Sequence, residues 1–256
     1  MVKPKLRVAW FSAGVSSFIA TYLTPNIDRI IYIDIDDQHS DSMRFVKDCE
    51  KVLCRQIEII KSPLCSVENA IRQAGYITLR NGAAACTNLL KKRPRQTWEV
   101  ESGIVKCSQW SYTEPPQELV YVWGLDCVER DRMDGIINAN PKANHIFPLI
   151  DKGLTKEDAH GLCERLGVKR PLMYELGYSN NNCIGCVKGG MGYWNKIRVD
   201  FPGAFDRMAK LERLIGHSCL KDENGALFLD ELDPARGRMQ DEIMTDCSIF
   251  CELALR

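Results

Sequence analysis

Short continuous runs of bulky apolar residues recur along the first half of the chain. They occupy Leu6 to Phe11 (LRVAWF), Ile30 to Ile35 (IIYIDI), Ile57 to Lys61 (IEIIK) and Val120 to Leu125 (VYVWGL). Runs of this length without polar alternation are typical of strands that are covered on both faces, as in a parallel sheet. We therefore predict a parallel strand in each of these stretches.

Helical patterns separate these runs. Ser40 is a residue type that favours the N-cap position, and apolar side chains follow it at helical spacing. They are Met43, Val46, Cys49 and Leu53. Farther along, Thr155 and Asp158 have the spacing of a capping box, and Gly167 is placed to end that helix. The alternation predicts an α/β fold with a doubly wound, mostly parallel sheet that binds ligands at the carboxyl ends of its strands.

Composition adds limits on function. The 256 residues carry 34 basic and 34 acidic side chains, so no net charge attracts nucleic acid non-specifically. No apolar run approaches the roughly 20 residues of a membrane span, and the first residues lack the long apolar stretch of a secretory signal. We expect a cytoplasmic protein with no membrane partner.

The chain has twelve cysteines, an unusually large number. A reducing compartment disfavours disulfides, which leaves buried thiols, metal ligands and nucleophiles. Six single cysteines in apolar or helical stretches are expected to be small buried residues. They are Cys49, Cys54, Cys65, Cys107, Cys127 and Cys163. Cys183 and Cys186 instead have the spacing of a metal-binding pair in the glycine-rich stretch NNCIGCVKGG. This spacing is consistent with an iron–sulfur site and with a zinc knuckle.

A small-residue turn, FSAGVSS, joins the first predicted strand to the helix after it. Such a turn offers amide donors at the positive end of a helix and lets a phosphate approach closely. The residues that would line the anion are Ser12, Ala13, Gly14, Ser16 and Ser17. A tight corner between a strand and a helix explains the same pattern, and the stretch matches neither GxxxxGK[ST] nor GxGxxG.

This turn resembles the SGGxDS pyrophosphatase loop of the adenine nucleotide alpha-hydrolase superfamily. Three other stretches resemble the branch that contains phosphoadenosine phosphosulfate (PAPS) reductase. The matching residues of WGLDCVERDRMD and ACTNLLKKRP are Gly124, Glu129, Arg132, Cys86, Lys91 and Pro94. Those of the stretch from Phe147 to Cys186 are Pro148, Leu149, Thr155, Asp158, Leu172, Tyr174, Gly177, Tyr178, Cys183 and Cys186.

The resemblance implies a PAPS reductase-like nucleotide-binding domain with an adenine nucleotide alpha-hydrolase-like fold at residues 1–215. From Gly216 onward the character changes, because KDENGALFLDELDPARGR predicts a hairpin or loop. We therefore treat residues 216–256 as a cysteine-containing carboxyl-terminal extension. Its Cys247 and Cys251 lie one helical turn apart and are further candidates to complete a metal site.

The chain also departs from the family pattern. Val15 and Ser16 stand where many pyrophosphatase loops carry a variable residue and an aspartate. Carboxylates at the end of the second strand offer an alternative contact to ribose or magnesium, although solvated turn residues are the simpler explanation. They are Asp34, Asp36 and Asp37. Ala85 precedes Cys86 where related iron–sulfur reductases have paired cysteines, and no terminal ECG follows, which argues against sulfate reduction.

For the nucleotide, the resemblance implies that the loop binds ATP with Mg²⁺, so that a substrate oxygen displaces pyrophosphate and becomes adenylated. Asp34, Gly124 and Glu129 would join the loop in binding. Arg132 and Lys188 would offset the charge on the leaving group.

For the thiols, the resemblance implies that Cys86, Cys183 and Cys186 bind a [4Fe–4S] cluster with one open iron, and that Cys186 belongs to the catalytic residues. Zn²⁺ is the alternative metal.

These parts predict an ATP-dependent adenylating sulfurtransferase that moves sulfur from a donor to a nucleobase or small metabolite. The side chains Tyr193, Trp194, Lys196 and Arg198 fit a nucleic-acid acceptor or a packing helix equally well. Two other functions stay open, a PAPS or adenylylsulfate reductase and a non-catalytic nucleotide- or metal-binding module. The sequence does not decide between a monomer and a homodimer.

Overall fold

Residues 5–79, 82–103, 107–108, 111–112, 119–139 and 144–242 are described by the structure, which is a computed structural model. The strands are β1 (Leu6–Phe11), β2 (Arg29–Asp34), β3 (Glu58–Lys61), β4 (Cys107–Ser108), β5 (Ser111–Tyr112), β6 (Leu119–Val122), β7 (Asn144–Ile146), β8 (Leu220–Asp222) and β9 (Gly225–Leu227). A five-stranded sheet has the order β3-β2-β1-β6-β7, and its neighbouring strands are all parallel. β4 with β5 and β8 with β9 form antiparallel pairs.

The α-helices are α1 (Val15–Leu23), α2 (Asp41–Leu53), α3 (Val67–Ala74), α4 (Arg93–Glu101), α5 (Arg130–Ala139), α6 (Pro148–Asp151), α7 (Lys156–Arg165), α8 (Leu172–Glu175), α9 (Met191–Asp200) and α10 (Pro202–Ile215). A π-helical segment, Thr87–Lys92, runs directly into α4. The predicted capping box is present, because Thr155 and Asp158 each accept a bond from the other's amide. Ser40 precedes α2 but has helical dihedral angles and makes no side-chain cap, so that part of the prediction is wrong.

Helices cover both faces of the central sheet. On one face, Ala9 and Tyr32 pack in a buried cluster with Phe18 of α1 and Phe45 of α2. On the other face, Ile31 packs in a cluster that includes Trp98 of α4 and Ile136 of α5. The predicted doubly wound α/β fold is confirmed, with its reversal of strand order between β1 and β6. Ligand sites of such folds lie at this point.

Two expectations about burial are wrong. β3 is an edge strand, and Ile59 is 48% exposed because only β2 flanks it. Among the single cysteines, Cys49 and Cys163 are buried, whereas Cys65 and Cys127 are partly buried and Cys54 is exposed. Cys54 ends α2 in a left-handed conformation at the surface, which removes it from the core. The Cys107 side chain, like Cys247 and Cys251, falls outside the described residues.

A third cluster of buried residues lies beyond the carboxyl edge of the sheet. It joins α3, α9 and α10 to residues after Gly216, such as Leu220 and Leu229. The proposed boundary coincides with the end of α10 at Ile215, although the following segment shares this cluster. The division into two parts stays a prediction. Within the described ranges, no helix is both long and apolar enough to cross a membrane.

Candidate nucleotide and thiol site

The loop after β1 lies at the reversal of strand order. Its backbone turns through Ala13, which is buried and has a φ of 57°, and Gly14 then precedes the first turn of α1. A left-handed conformation costs a residue with a Cβ about 1–2 kcal/mol, and such strain concentrates at functional sites. The geometry suits a loop that holds a ligand at a helix N-terminus.

The serines of the loop have different roles. Ser17 Oγ donates to the carbonyl oxygen of Gly14 at 2.8 Å and accepts from Ser12 Oγ at 3.0 Å and from the Ser12 amide at 3.2 Å. Ser16 is 1% exposed, and its hydroxyl has no hydrogen-bond partner. Ser17 therefore holds the loop closed, while Ser16 carries an unused buried hydroxyl.

Two residues from distant segments fix the loop. The amide of Val15 donates to the hydroxyl of Tyr174 at 3.4 Å. The side-chain amide of Asn181 donates to the carbonyl oxygen of Ala13 at 2.8 Å and to Ser42 Oγ at 3.0 Å. The sequence prediction did not include Asn181, although the run of three asparagines before Cys183 was an available signal.

Gly124 follows β6 and backs directly onto the loop. A Cβ at this position would lie 2.6 Å from the Cα of Ser17 and 2.7 Å from its nitrogen. Only glycine permits this approach of two backbones. Gly124 thus shapes the loop by close packing, in addition to its predicted place among the nucleotide-binding residues.

Glu129 and Arg132 form an ion pair after β6. Their side chains are 15% and 8% exposed, so the pair is largely buried. Glu129 also accepts a bond from the amide of Asp126 at 3.1 Å, which ties the start of α5 to the strand end. The pair is a fixed, largely buried feature of the carboxyl edge.

The carboxylates after β2 are engaged with other residues. Lys61 bridges Asp34 at 3.3 Å and Asp36 at 2.5 Å. Asp37 accepts a bond from the amide of Val67 at 2.6 Å, and burial raises the pKa of its carboxyl above the usual value. A cleft of about 460 Å³ opens beside Asp36 and Asp37, and Arg207 of α10 also lines it.

The cysteine pair lies in a turn held by its backbone. Tyr193 of α9 accepts a bond from the amide of Cys186 at 2.8 Å and donates to the carbonyl oxygen of Cys183 at 3.2 Å. The amide of Ile184 donates to the carbonyl oxygen of Asp37 at 2.7 Å, which joins the turn to the end of β2. Both cysteines are buried, and Lys188 follows half-buried in the same turn.

Residues near the end of the described chain secure the helix after this turn. The carboxylate of Glu242 accepts bonds from the amides of Gly190, Gly192 and Tyr193 at 3.0, 2.8 and 3.3 Å. These are donors at the N-terminus of α9, where a negative charge is stabilising. Glu242 therefore caps α9 from a segment far along the chain.

Cys86 comes to the same region from another element. It directly precedes the π-helical segment and packs, partly buried, against the cluster that contains Cys183 and Cys186. Short π-helical stretches are frequent at functional sites. Across the described ranges, no three His, Cys, Asp or Glu side chains are arranged as a ready set of metal ligands.

The aromatic residues after the pair have packing roles. Tyr193 and Trp194 are 2% and 0% exposed, so neither ring is available to stack on a base. Lys196 pairs with Asp200 at 2.8 Å, and Arg198 donates to the carbonyl oxygens of Leu229 and Leu232. For these side chains the packing-helix interpretation is correct.

Comparison with known proteins gives limited matches. No protein-family model matches the chain. A protein of Escherichia phage 186, described as an uncharacterized 37.8 kDa protein in the gpa 5' region, is 30% identical over 107 residues. The match covers 41% of this chain and 31% of that protein, so the chain spans about a third of this relative.

Two solved structures resemble the chain. A PAPS reductase from Candida auris in complex with phosphate has 14% identity and a TM-score of 0.45, over 67% of this chain and 78% of that one. The U34-tRNA thiolase NcsA from Methanococcus maripaludis, with its [4Fe–4S] cluster, has 14% identity and a TM-score of 0.39, over 84% and 74%. The first is a reductase of the kind that the sequence motifs resemble. At these TM-scores the likenesses carry no conclusion about activity, and the α/β fold rests on the strand order given above.

Proposed function

We propose that the chain is an ATP-dependent adenylating enzyme of the PAPS reductase-like family, and that it acts as an iron–sulfur sulfurtransferase on a nucleobase or small metabolite. One observation carries this proposal. Asn181 binds the carbonyl oxygen of Ala13 in the loop and stands two residues before Cys183. The small-residue turn after β1 and the cysteine pair thus share one edge of the sheet, which is the arrangement expected of an enzyme that couples nucleotide activation to sulfur chemistry.

The loop would supply nucleotide binding. Its small residues border the N-terminus of α1, where amide groups and the helix dipole favour an anion. The buried, unpartnered hydroxyl of Ser16 fits a role toward a phosphate oxygen, because buried polar groups are nearly always satisfied. With ATP held here, a substrate oxygen would attack the α-phosphorus and pyrophosphate would leave with Mg²⁺.

The cationic residues would stabilise the departing pyrophosphate. Arg132 is held by its ion pair with Glu129, which keeps the guanidinium at a fixed, largely buried position. Lys188 brings a second positive charge to the cysteine turn. Preorganised charges of this kind act strongly because they need no reorientation during the reaction.

The thiols would supply the sulfur chemistry. Cysteine thiolates are the ligands that iron–sulfur clusters prefer, and the donor set of Cys86, Cys183 and Cys186 fits such a group. When bound, a [4Fe–4S] cluster would present sulfur from hydrosulfide to the adenylated substrate, whose activated oxygen would leave with AMP. Tyr193 fixes the backbone of the turn, so the two cysteines of the pair keep their separation.

The activity test is pyrophosphate release from MgATP by anaerobically purified protein, with total RNA, free nucleosides and sulfide as the acceptor and donor mixture. We expect release by the wild type, none by Gly14→Val and unchanged release by Gly161→Val, a matched control in α7 where a Cβ meets only Arg165 at 3.5 Å. Sulfite formation from PAPS with reduced thioredoxin would identify a reductase. ATP binding by calorimetry with neither product would identify a binding module.

The metal test is elemental analysis of the same preparation. We expect about four irons and four sulfides per chain, as in a cubane cluster. Serine at Cys183 or Cys186 should abolish them, whereas Cys54→Ser should not, because Cys54 is exposed at the end of α2. Stoichiometric zinc without sulfide would contradict the sulfurtransferase and leave an adenylating enzyme with a structural zinc site.

A further inference from the structure

A cavity of about 550 Å³ lies between the end of β3 and one side of α4. None of the described residues that line it belongs to the loop after β1 or to the cysteine turn. Its volume falls within the range of roughly 300–1,000 Å³ that small-molecule sites occupy. β3 is an edge strand, so no further strand of the sheet fills this space. The cavity is therefore a candidate ligand site outside the one described above.

One face of α4 forms a wall of the cavity. Arg93, Thr97 and Glu101 follow one another at intervals of four residues, and Pro94 and Trp98 lie beside them on the same face. Side chains four positions apart share a helix face, and a helix rises about 12 Å over eight residues. The cavity lining therefore extends along most of α4, which suits an elongated ligand.

The wall opposite α4 is mainly apolar. It includes Ile60 of β3, Leu64 of the segment after β3 and Leu89 of the π-helical segment. Ser62 is 3% exposed, and its hydroxyl donates to the carbonyl oxygen of Leu89 at 3.0 Å. This bond fixes the π-helical segment against the end of β3. A ligand with an apolar body would gain free energy by leaving water for this space.

The charged residues at the cavity differ in how they are bonded. Lys61 is already paired with Asp34 and Asp36. The guanidinium of Arg93, by contrast, makes no hydrogen bond or ion pair within the part of the chain that the structure describes. Glu101 is eight positions from Arg93, beyond the three or four at which side chains on a helix meet. Arg93 can therefore offer its donors to a ligand carboxylate in a bidentate pair.

We propose that this cavity binds a small organic acid with one carboxylate and an apolar body. The carboxylate pairs with Arg93, and the body lies along α4 against Leu64 and Leu89. Glu101 stands at the other end of the same helix face and repels a second acidic group, so a monocarboxylate is preferred. This site requires neither ATP nor a metal, and it goes beyond the proposed function.

The experiment is calorimetry of the full wild-type chain with octanoate and with indole-3-acetate, each beside its neutral amide. We expect binding of at least one acid, with its amide about tenfold weaker, or 1.4 kcal/mol. Tighter binding of octanoate would mark the ligand as an aliphatic acid, and tighter binding of indole-3-acetate as an aromatic one. Absence of binding by both acids, or equal affinity for acid and amide, would overturn the inference.

Variants place the acid in the cavity. Arg93→Gln should bind the acid as weakly as the amide, and Thr97→Trp should abolish binding because it fills the cavity from a partly exposed position. Lys210→Gln and Leu214→Trp, at exposed positions of α10, are the matched controls and should bind as the wild type does. If Arg93→Gln and Thr97→Trp both keep wild-type affinity, the cavity is not the site.

Hydrogen exchange of the wild type gives the same information without a variant. Addition of the acid should slow amide exchange in peptides that cover residues 61–64 and 93–101, and leave α10 unchanged. Protection confined to other segments would contradict the proposal.

Discussion

The loop after β1 is held by hydrogen bonds, both among its own serines and to Tyr174 and Asn181, whereas the region around the cysteine pair is held mainly by apolar packing between segments that are distant in sequence. Ser12 and Ser17 close the loop by direct contact. Around the cysteines, the side chains of Tyr193 and Trp194 fill a core that reaches from α3 to β9. Loss of a hydrogen bond between the loop's own serines should therefore have a local effect, whereas a cavity around the cysteines should disturb several packed segments.

The largest expected effect concerns the buried ion pair on the loop side. Arg132→Met removes one partner and leaves the Glu129 carboxylate largely buried, which should lower the free energy of unfolding by about 3–5 kcal/mol. Urea unfolding measures this loss. The exposed pair of Arg72 and Glu68 is the control, since Arg72→Met should cost less than about 1 kcal/mol. If both variants lose the same free energy of unfolding, burial of the Arg132–Glu129 pair does not contribute to stability.

Gly124 tests whether the loop is as rigid as its contacts indicate. Gly124→Ala forces a Cβ against the backbone of Ser17 and should cost about 1–3 kcal/mol with loss of ATP affinity. Gly161→Ala in α7 is the matched control, because its Cβ meets only the end of the Arg165 side chain at 3.5 Å. Calorimetry and thermal unfolding should separate the two variants. A stable, ATP-binding Gly124→Ala protein would contradict the close approach.

Much of the fold was accessible from the sequence, because it depends on local pattern. Apolar runs predicted β1, β2 and β6, and the capping box at Thr155 predicted the start of α7. The edge position of β3 was not predicted, since a run of apolar residues does not reveal how many strands flank it. Cys54 was misassigned for a related reason, because helical spacing does not show where a helix ends.

Some features of the candidate site were also predictable from local sequence, and others were not. The loop was recognisable from seven consecutive residues. Asn181 was missed because its importance comes from a contact across the fold, with Ala13. Spacing along the chain carries no signal for such contacts.

Asn181 offers a way to couple the two regions experimentally. Asn181→Ala removes the bonds to Ala13 and Ser42 and should lower stability by about 1–3 kcal/mol. Because this residue precedes the cysteine pair, ATP affinity and metal content should both fall. Asn138→Ala, at an exposed position of α5, should change neither. A fall in ATP affinity alone would show that the thiol region is independent of the loop.

The smallest expected effect separates two neighbouring serines. Ser17→Ala should lower stability by about 1 kcal/mol, because its hydroxyl makes three hydrogen bonds within the loop. Ser16→Ala should leave unfolding unchanged, since its hydroxyl has no partner, but weaken ATP binding about tenfold, or 1.4 kcal/mol. Thermal unfolding measures the change in stability, and calorimetry measures the change in ATP affinity. If Ser16→Ala binds ATP as tightly as the wild type, the Ser16 hydroxyl does not contact a phosphate.

The cap that Glu242 places on α9 makes the thiol turn sensitive to proteolysis at a remote point. A protease that cut before this residue would leave Cys86, Cys183 and Cys186 in place, although it would release Cys247 and Cys251. It would also leave three amide donors uncapped directly after the Cys186 turn. Clipped and intact molecules in one preparation would then differ in metal content. Mass spectrometry of the carboxyl terminus should therefore accompany every iron or zinc measurement on this protein.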